Sequence, residues 1–369
     1  MITRRTSLKL MSAAAGAAAM APLGFAQAAT PDAEITEKGV SRILFGSCAN
    51  QDKPQPIWAP INALDPDLFI FLGDNIYGDT RDMAVLADKY KKFGEIDGFK
   101  TLKAKTPLIA TWDDHDYGEN DAGKEYPEKE RSRELFLDFW NEPADSLRRR
   151  DNDGIYTSHM YGPEDQRVQV ILLDLRWNRT ELTHVTKEEF KRRDQMAFGP
   201  YLPTTRAGAT MLGEKQWAWL EGELKKPARL RIIGSSLQFI STFPGWEAWS
   251  LFPNERQRMI NLISDTKANG VLFISGDTHW AEISRQDDMH VPYPLYDFTS
   301  SGLTETWYNM SPNAYRLPGC MFTKANFGII EIDWRVPNPH IVLQARDVDG
   351  KPVFEKSLLL DQLSPQGRL

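Results

Sequence analysis

Five short segments place thiol, carboxylate, imidazole or hydroxyl side chains directly after an apolar run. They are Gly46-Ser47-Cys48-Ala49-Asn50, Gly73-Asp74-Asn75-Ile76-Tyr77-Gly78-Asp79, Trp112-Asp113-Asp114-His115-Asp116, Gly234-Ser235-Ser236-Leu237-Gln238 and Gly276-Asp277-Thr278-His279. Each is weak alone, because a Gly-Asp pair is often only a turn. Repetition changes the argument. Carboxylates that converge on one crevice repel strongly unless a cation lies among them. A bound metal resolves that conflict.

The elements that must carry these segments are legible from periodicity. Apolar, β-branched runs at Arg42 to Phe45, Leu68 to Leu72, Leu108 to Thr111, Val168 to Leu173, Arg231 to Ile233 and Val271 to Ile274 read as buried strands. Helical patterns lie between them at Met83 to Phe93, Ser132 to Trp140, Glu214 to Lys225 and Asn254 to Lys267. This alternation predicts an α/β architecture, and in such folds the carboxyl ends of strands converge on one crevice. Past Leu295 the pattern turns to strands alone, with Gly328 to Asp333, His340 to Asp347 and Val353 to Leu359 reading as a meander or hairpin through Asp349-Gly350. No repeat or clear linker interrupts the chain, so one mixed α/β domain is expected.

Composition sets the outer bounds. With 369 residues and 41% hydrophobic content the chain can bury a large core. A net charge of −7 offers no broad basic field for a phosphate backbone, which argues against nucleic acid as a stoichiometric partner.

At the N-terminus, Arg4 and Arg5 precede an Ala- and Gly-rich apolar stretch ending in Ala26-Gln27-Ala28. This predicts a signal peptide over residues 1–28 and a mature domain over 29–369. The arginine pair matches the twin-arginine export signal, with Ser7 where a large apolar residue is usual. A membrane anchor is the competing reading, but the segment is short and Ala-rich for a bilayer span. The expected location is therefore the periplasm or the exterior, with the twin-arginine translocase as a transient partner. In an oxidising compartment Cys48 and Cys320 would pair by default. Against a disulfide, Cys48 ends a strand just as the acidic residues end others, whereas Cys320 reads as an ordinary loop residue.

FGSCAN, FLGDNIYGD, TWDDHDYGEND and SGDTHWAE, in this order and spacing, resemble the PhoD-like alkaline phosphatases of the metallophosphoesterase superfamily. LFLDFWNEP, DGIYTSHMYG and VILLDLRWNR fit as well, so the likeness runs from Arg42 to about Trp334. The resemblance implies a two-sheet α/β sandwich flanked by helices, completed here by the C-terminal antiparallel strands. It also implies hydrolysis of phosphate mono- or diesters with metal-activated hydroxide as nucleophile; some branches are phospholipase D-like, which leaves phospholipid open as a substrate. A calcium- or phosphate-binding protein on the same fold is the non-enzymatic alternative.

Carried over residue by residue, the resemblance makes Asp74 a bridge between two metal ions, with Cys48 and Tyr77 on the member harder to reduce. Relatives use Fe³⁺ and Ca²⁺, and a thiolate plus a phenolate suit Fe³⁺ far better than Mg²⁺. Asp114 stands where the wider superfamily has a metal-binding asparagine, and Asp277 and His279 stand at its final histidine pair. His115 and Asn120 are the catalytic candidates: His115 as the acid for the departing oxygen, Asn120 as a ligand or substrate contact. Ser235-Ser236 occupies a position where many relatives carry a further histidine ligand. Arg81 is a possible phosphate contact, and Trp246 and Trp249 a possible lid. His159, His184, His290 and His340 lack a ligand-like setting, and Lys91-Lys92 and Arg148 to Arg150 read as surface charge.

Overall fold

A computed structural model describes residues 35–151, 153–242 and 245–365. The signal-peptide segment lies outside the described residues. The strands, in chain order, are β1 Ile35–Thr36, β2 Arg42–Gly46, β3 Leu68–Leu72, β4 Leu108–Thr111, β5 Thr157–Tyr161, β6 Val168–Leu172, β7 Thr183–His184 and β8 Tyr201–Leu202. They continue with β9 Leu230–Ser235, β10 Val271–Ser275, β11 Ala281–Gln286, β12 Leu295–Ser300, β13 Arg316–Phe322, β14 Asn326–Asp333, β15 His340–Asp347 and β16 Pro352–Leu359. Helices α1 Trp58–Ala63, α2 Met83–Gly94, α3 Asp97–Lys105, α4 Asp114–Tyr117 and α5 Lys129–Phe139 occupy the first part of the chain. Helices α6 Leu147–Arg150, α7 Lys187–Asp194, α8 Gly213–Leu224 and α9 Pro253–Asp265 follow.

Two mixed sheets form the body. One has the order β16-β15-β14-β2-β3-β4, the other β1-β5-β6-β9-β10-β12-β11-β13. In the first, β2, β3 and β4 run parallel, and the C-terminal strands extend the sheet antiparallel through β14 paired with β2. In the second, β6, β9, β10 and β12 run parallel. The parallel strands are buried on both faces, which is why they read as unbroken apolar runs.

Strand alternation sorts each side chain to one of two cores. Leu68, Ile70 and Leu72 of β3, with Ile43 and Phe45 of β2, join Val170, Ile232, Leu272 and Phe298 of the second sheet in one cluster. Phe45 meets Phe298 edge-on at 4.9 Å, so the two sheets face each other there. The intervening Leu44, Phe69 and Phe71 point the other way, onto Trp58, Phe93 and Phe99 of the covering helices. Trp58 lies 6.0–6.3 Å from four phenylalanine rings of that layer. Deleting such rings from a packed aromatic layer costs both burial and ring contacts.

The predicted strand and helix positions match the observed elements closely, and the final three strands form the expected meander. Three expectations need correction. Arg148, read as surface charge, is buried with its guanidinium on the carbonyls of Ile155 and Ala110. Cys320 is not in a loop: it lies within β13, whose pairing partner β11 is distant enough in sequence that no local pattern marks the edge. Trp249 is fully buried, its indole N–H donating to Ser235 Oγ at 3.0 Å, so it belongs to the core and not to a lid. Cys48 and Cys320 are both free thiols.

Candidate active site

The parallel strands end at one crevice, and there the backbone takes an unusual form. Cys48 (φ 63°), Asp74 (φ 49°), Asp277 (φ 68°) and His279 (φ 63°) are all left-handed non-glycine residues. This conformation costs of order 1–3 kcal/mol per residue and persists where the surrounding structure imposes it, commonly at functional sites. Here it turns four candidate ligands toward one another from the ends of three strands, β2, β3 and β10.

Gly73 makes the tightest of these turns possible. Its φ is 99°, and a Cβ at this position would lie 2.5 Å from Asp113 Cβ and 2.6 Å from the Asp113 nitrogen. The loops after β3 and β4 therefore pass closer than any side chain allows. Gly73→Ala is expected to lower stability by at least ~2 kcal/mol, the sum of left-handed strain and overpacking against a fixed backbone. Denaturant unfolding checks it, and a midpoint equal to wild type would show that the loops have room to separate.

Asp116 fastens the same two loops. Its carboxylate accepts the backbone N–H groups of Asp113 (2.7 Å), Asp74 (3.2 Å) and Asn75 (3.3 Å), and the Asn75 side-chain amide at 2.5 Å. Burial raises its pKa to about 7 against the pull of those donors. On the other side, the Cys48 and Ala49 N–H groups donate to the carbonyls of Gly73 and Asp74 at 3.3 and 2.8 Å, so the first two motifs are zipped together.

Within this frame Cys48 Sγ lies 3.3 Å from Asp74 Oδ2 and 3.2 Å from Ser301 Oγ. The Tyr77 hydroxyl lies 3.1 Å from His279 Nε2, and the Tyr77 ring sits 4.2 Å from the His115 ring. His115 Nδ1 is 2.7 Å from Asp79 Oδ1. Asp114 Oδ2 accepts the Asp121 N–H at 2.7 Å. Ligand atoms fall into sets whose members all lie within 4.8 Å of one another: Cys48, Asp74 and His279; Asp74, Asp114 and His115; Asp74, Asp113, Asp114 and Asp277. Asp74 belongs to all three. Asn120 lines the adjoining cavity of about 120 Å³, together with His115, Asp277 and His279.

The electrostatics favour a cation in this crevice. Burial, then the neighbouring carboxylates of Asp114 and Asp113, push Asp74 well above the usual carboxylate range, although His115 pulls it down. Burial and the charges of Asp113 and Asp114 do the same to Asp277. Burial and Asp74 raise the Cys48 thiol, and burial depresses His279 to about 4. Burial would lower His115 also, yet Asp114, Asp74 and Asp79 outweigh it and raise its pKa to about 11. One imidazolium and one buried guanidinium, that of Arg176, do not balance so many acids. Asp113 Oδ2 and Asp114 Oδ1 are buried without a hydrogen-bond partner among the described residues. Such orphaned oxygens, with a thiol, a phenol and an imidazole beside them, fit one or more metal ions.

Several participants carry no sequence signal of their own. Arg176 is fully buried and reaches Asp113 at 2.5 Å and Glu247 at 2.7 Å, with Asp114 at 3.6 Å. Glu247 and Asp121 approach Asp114 closely enough to form a further acidic set. Ser236, which the sequence does mark as a strand-end residue, donates its hydroxyl to Asp113 Oδ1 at 2.8 Å. Arg81 pairs with Glu119 at 2.5 Å, and neither is among the residues lining the cavity. None of His159, His184, His290 and His340 joins a potential metal-binding set among the described residues.

A family model for PhoD-like phosphatases matches residues 88–313. The chain belongs to the PhoD-like phosphatase family. Alkaline phosphatase D of Bacillus subtilis strain 168 is 25% identical over 268 residues, which cover 62% of this chain and 43% of that protein. The chain thus aligns with less than half the length of this curated relative. In fold it is similar to a PhoD structure, with TM-score 0.66 and 16% identity over 89% of this chain and 72% of that one. It is also similar to a dimetal phosphatase from Danio rerio, with TM-score 0.52 and 15% identity over 88% of this chain and all of that one. The PhoD-like match includes Asp114, His115, Asn120, Asp277 and His279 but begins after Cys48, Asp74 and Tyr77, whose place in the site rests on the geometry above.

Proposed function

We propose that this PhoD-like chain hydrolyses phosphate mono- or diesters with metal ions held by Cys48, Asp74, Tyr77, Asp114, Asp277 and His279. The observation that carries the proposal is Asp74, whose carboxylate is shared by all three principal ligand sets, which supports reading it as a bridge between two ions. When bound, such ions supply positive charge for phosphoryl oxygens and Lewis-acid activation of water. The protein's own groups do the rest. We read His115, whose Nδ1 is engaged by Asp79 and whose ring lies against Tyr77, as the acid that gives a proton from its other nitrogen to the departing oxygen. Asn120, on the cavity wall, can donate to a phosphoryl oxygen. The test is metal analysis of the purified chain, then hydrolysis of a monoester and a diester panel before and after chelation. A chain that holds metal yet cleaves no ester would instead be a binding protein on this fold.

The thiol and phenol favour Fe³⁺ at the Cys48 and Tyr77 side, with Ca²⁺ suited to the all-oxygen side. Ferric iron bound by these groups would give a charge-transfer absorption band in concentrated protein. Cys48→Ser is expected to shift or abolish that band and to lower iron content and activity together. A colourless, fully active Cys48→Ser protein would refute the assignment.

Export rests on the sequence of the leader. The intact mass of secreted protein is expected to begin near Ala29, and a retained leader would overturn a periplasmic or secreted location.

A further inference from the structure

The mouth of the cavity is aromatic, and its cations are already committed. Trp246 and Trp307 both line it, their rings 5.4 Å apart with planes inclined at 61°, and Trp307 lies 6.2 Å from the His279 ring. Phe190 backs Trp246 edge-on at 5.9 Å. The Trp307 backbone N–H donates to the His279 carbonyl at 3.0 Å, so this indole is tied directly to a ligand loop. Yet Trp307 remains 40% exposed. A large aromatic left open to solvent beside a polar cavity is a binding surface in search of an occupant.

The remaining lining narrows what that occupant is. Among the described residues no lysine or arginine lines the cavity, whereas Asp121 and Glu247 do. Arg176 and Arg179, which lie against the cavity residue Glu247, are fully buried and paired with it. A phosphoryl group bearing two free negative oxygens toward Asp121, Glu247, Trp246 and Trp307 would meet carboxylates and indoles. An ester that presents a flat organic group there meets ring faces and edges instead, and its charge stays with the metal side.

We propose that Trp246 and Trp307 form a subsite for the organic group of the ester, and that this group is flat and largely apolar. The proposal rests on the phosphoesterase reading and adds the substrate's organic class to it. A stacked ring in such a subsite is expected to be worth about 10-fold or more in affinity.

The metal-loaded full chain is titrated calorimetrically with benzylphosphonate and with methylphosphonate, two uncleavable probes that differ by one ring. Wild type is expected to bind benzylphosphonate about 10-fold or more tightly than methylphosphonate. Trp307→Ala and Trp246→Ala are expected to remove most of that difference, and Trp307→Phe to restore part of it. Equal affinities in wild type would overturn the subsite, as would alanine variants that weaken both probes by one factor. If neither phosphonate binds and no ester is cleaved, the phosphoesterase reading fails and the subsite falls with it. If esters are cleaved while the ring makes no difference, the subsite alone is wrong.

Discussion

Asp74→Asn is expected to strip metal from both sides of the site and to lower kcat/KM by ~10³ or more, a loss of the size seen when charge stabilisation at a phosphoryl or acyl centre is removed. The expectation follows from position. Asp74 belongs to every principal ligand set, so a neutral amide weakens two coordination spheres with one change. The substitution is also conformationally quiet, since Asn tolerates the left-handed φ of 49° found there. Loss of function would therefore not reflect a broken loop. Stability should move the other way. Burial and the charges of Asp114 and Asp113 hold the Asp74 carboxyl well above its ordinary range, so the metal-free wild type bears the cost of that acid and the amide does not. Metal-free Asp74→Asn should unfold at a temperature no lower than metal-free wild type, with metal content and kcat/KM measured on the same preparation. Full occupancy of both metals in the variant would remove Asp74 from the bridging role.

His115→Ala should leave metal content largely intact while lowering hydrolysis of alkyl phosphates by about 10²- to 10⁴-fold, the usual contribution of a positioned acid. Aryl esters such as p-nitrophenyl phosphate should be spared by comparison, because that leaving group departs without a proton. The geometry supports an acid over a ligand. His115 Nδ1 is occupied by Asp79 at 2.7 Å, which fixes the ring as a carboxylate fixes a general acid, and the Tyr77 ring covers one face. Asp79→Asn should then show the same selectivity in weaker form, about 10-fold on alkyl esters. The competing outcome is concrete, since a His115 nitrogen also lies within 4.8 Å of oxygens of Asp74 and Asp114. Loss of metal in His115→Ala would make it a ligand. An equal fall on both ester types with metal retained would make it a stabiliser of phosphoryl charge.

The candidate ligands of this site were legible because strand ends are local events. Each of Cys48, Asp74, Asp114 and Asp277 follows within a few residues of an apolar run that can only be a buried strand, and parallel strands deliver their carboxyl ends to one side. The same locality made the α/β class readable and placed β3, β4 and β15 at their observed limits.

What supports those ligands was decided only in three dimensions. Ser301 reaches Cys48 across 253 residues, Ser236 reaches Asp113 across 123, and Arg176 reaches Glu247 across 71. No periodicity records such pairings, because they depend on how two sheets stack and not on any one element's pattern. Trp249 and Trp246, three residues apart, could not be separated from sequence: the 3-10 turn at Trp249–Leu251 buries the first in the core, and the preceding loop leaves the second at the cavity. Arg148 read as surface charge for the same reason, yet its guanidinium is buried on the carbonyls of Ile155 and Ala110. The sequence by itself determined which residues can bind metal and which strands present them. The tertiary structure decided which buried acids share one space, which cation is already spent among them, and which aromatic rings remain open, since each of these depends on desolvation and distance between segments that the chain order keeps far apart.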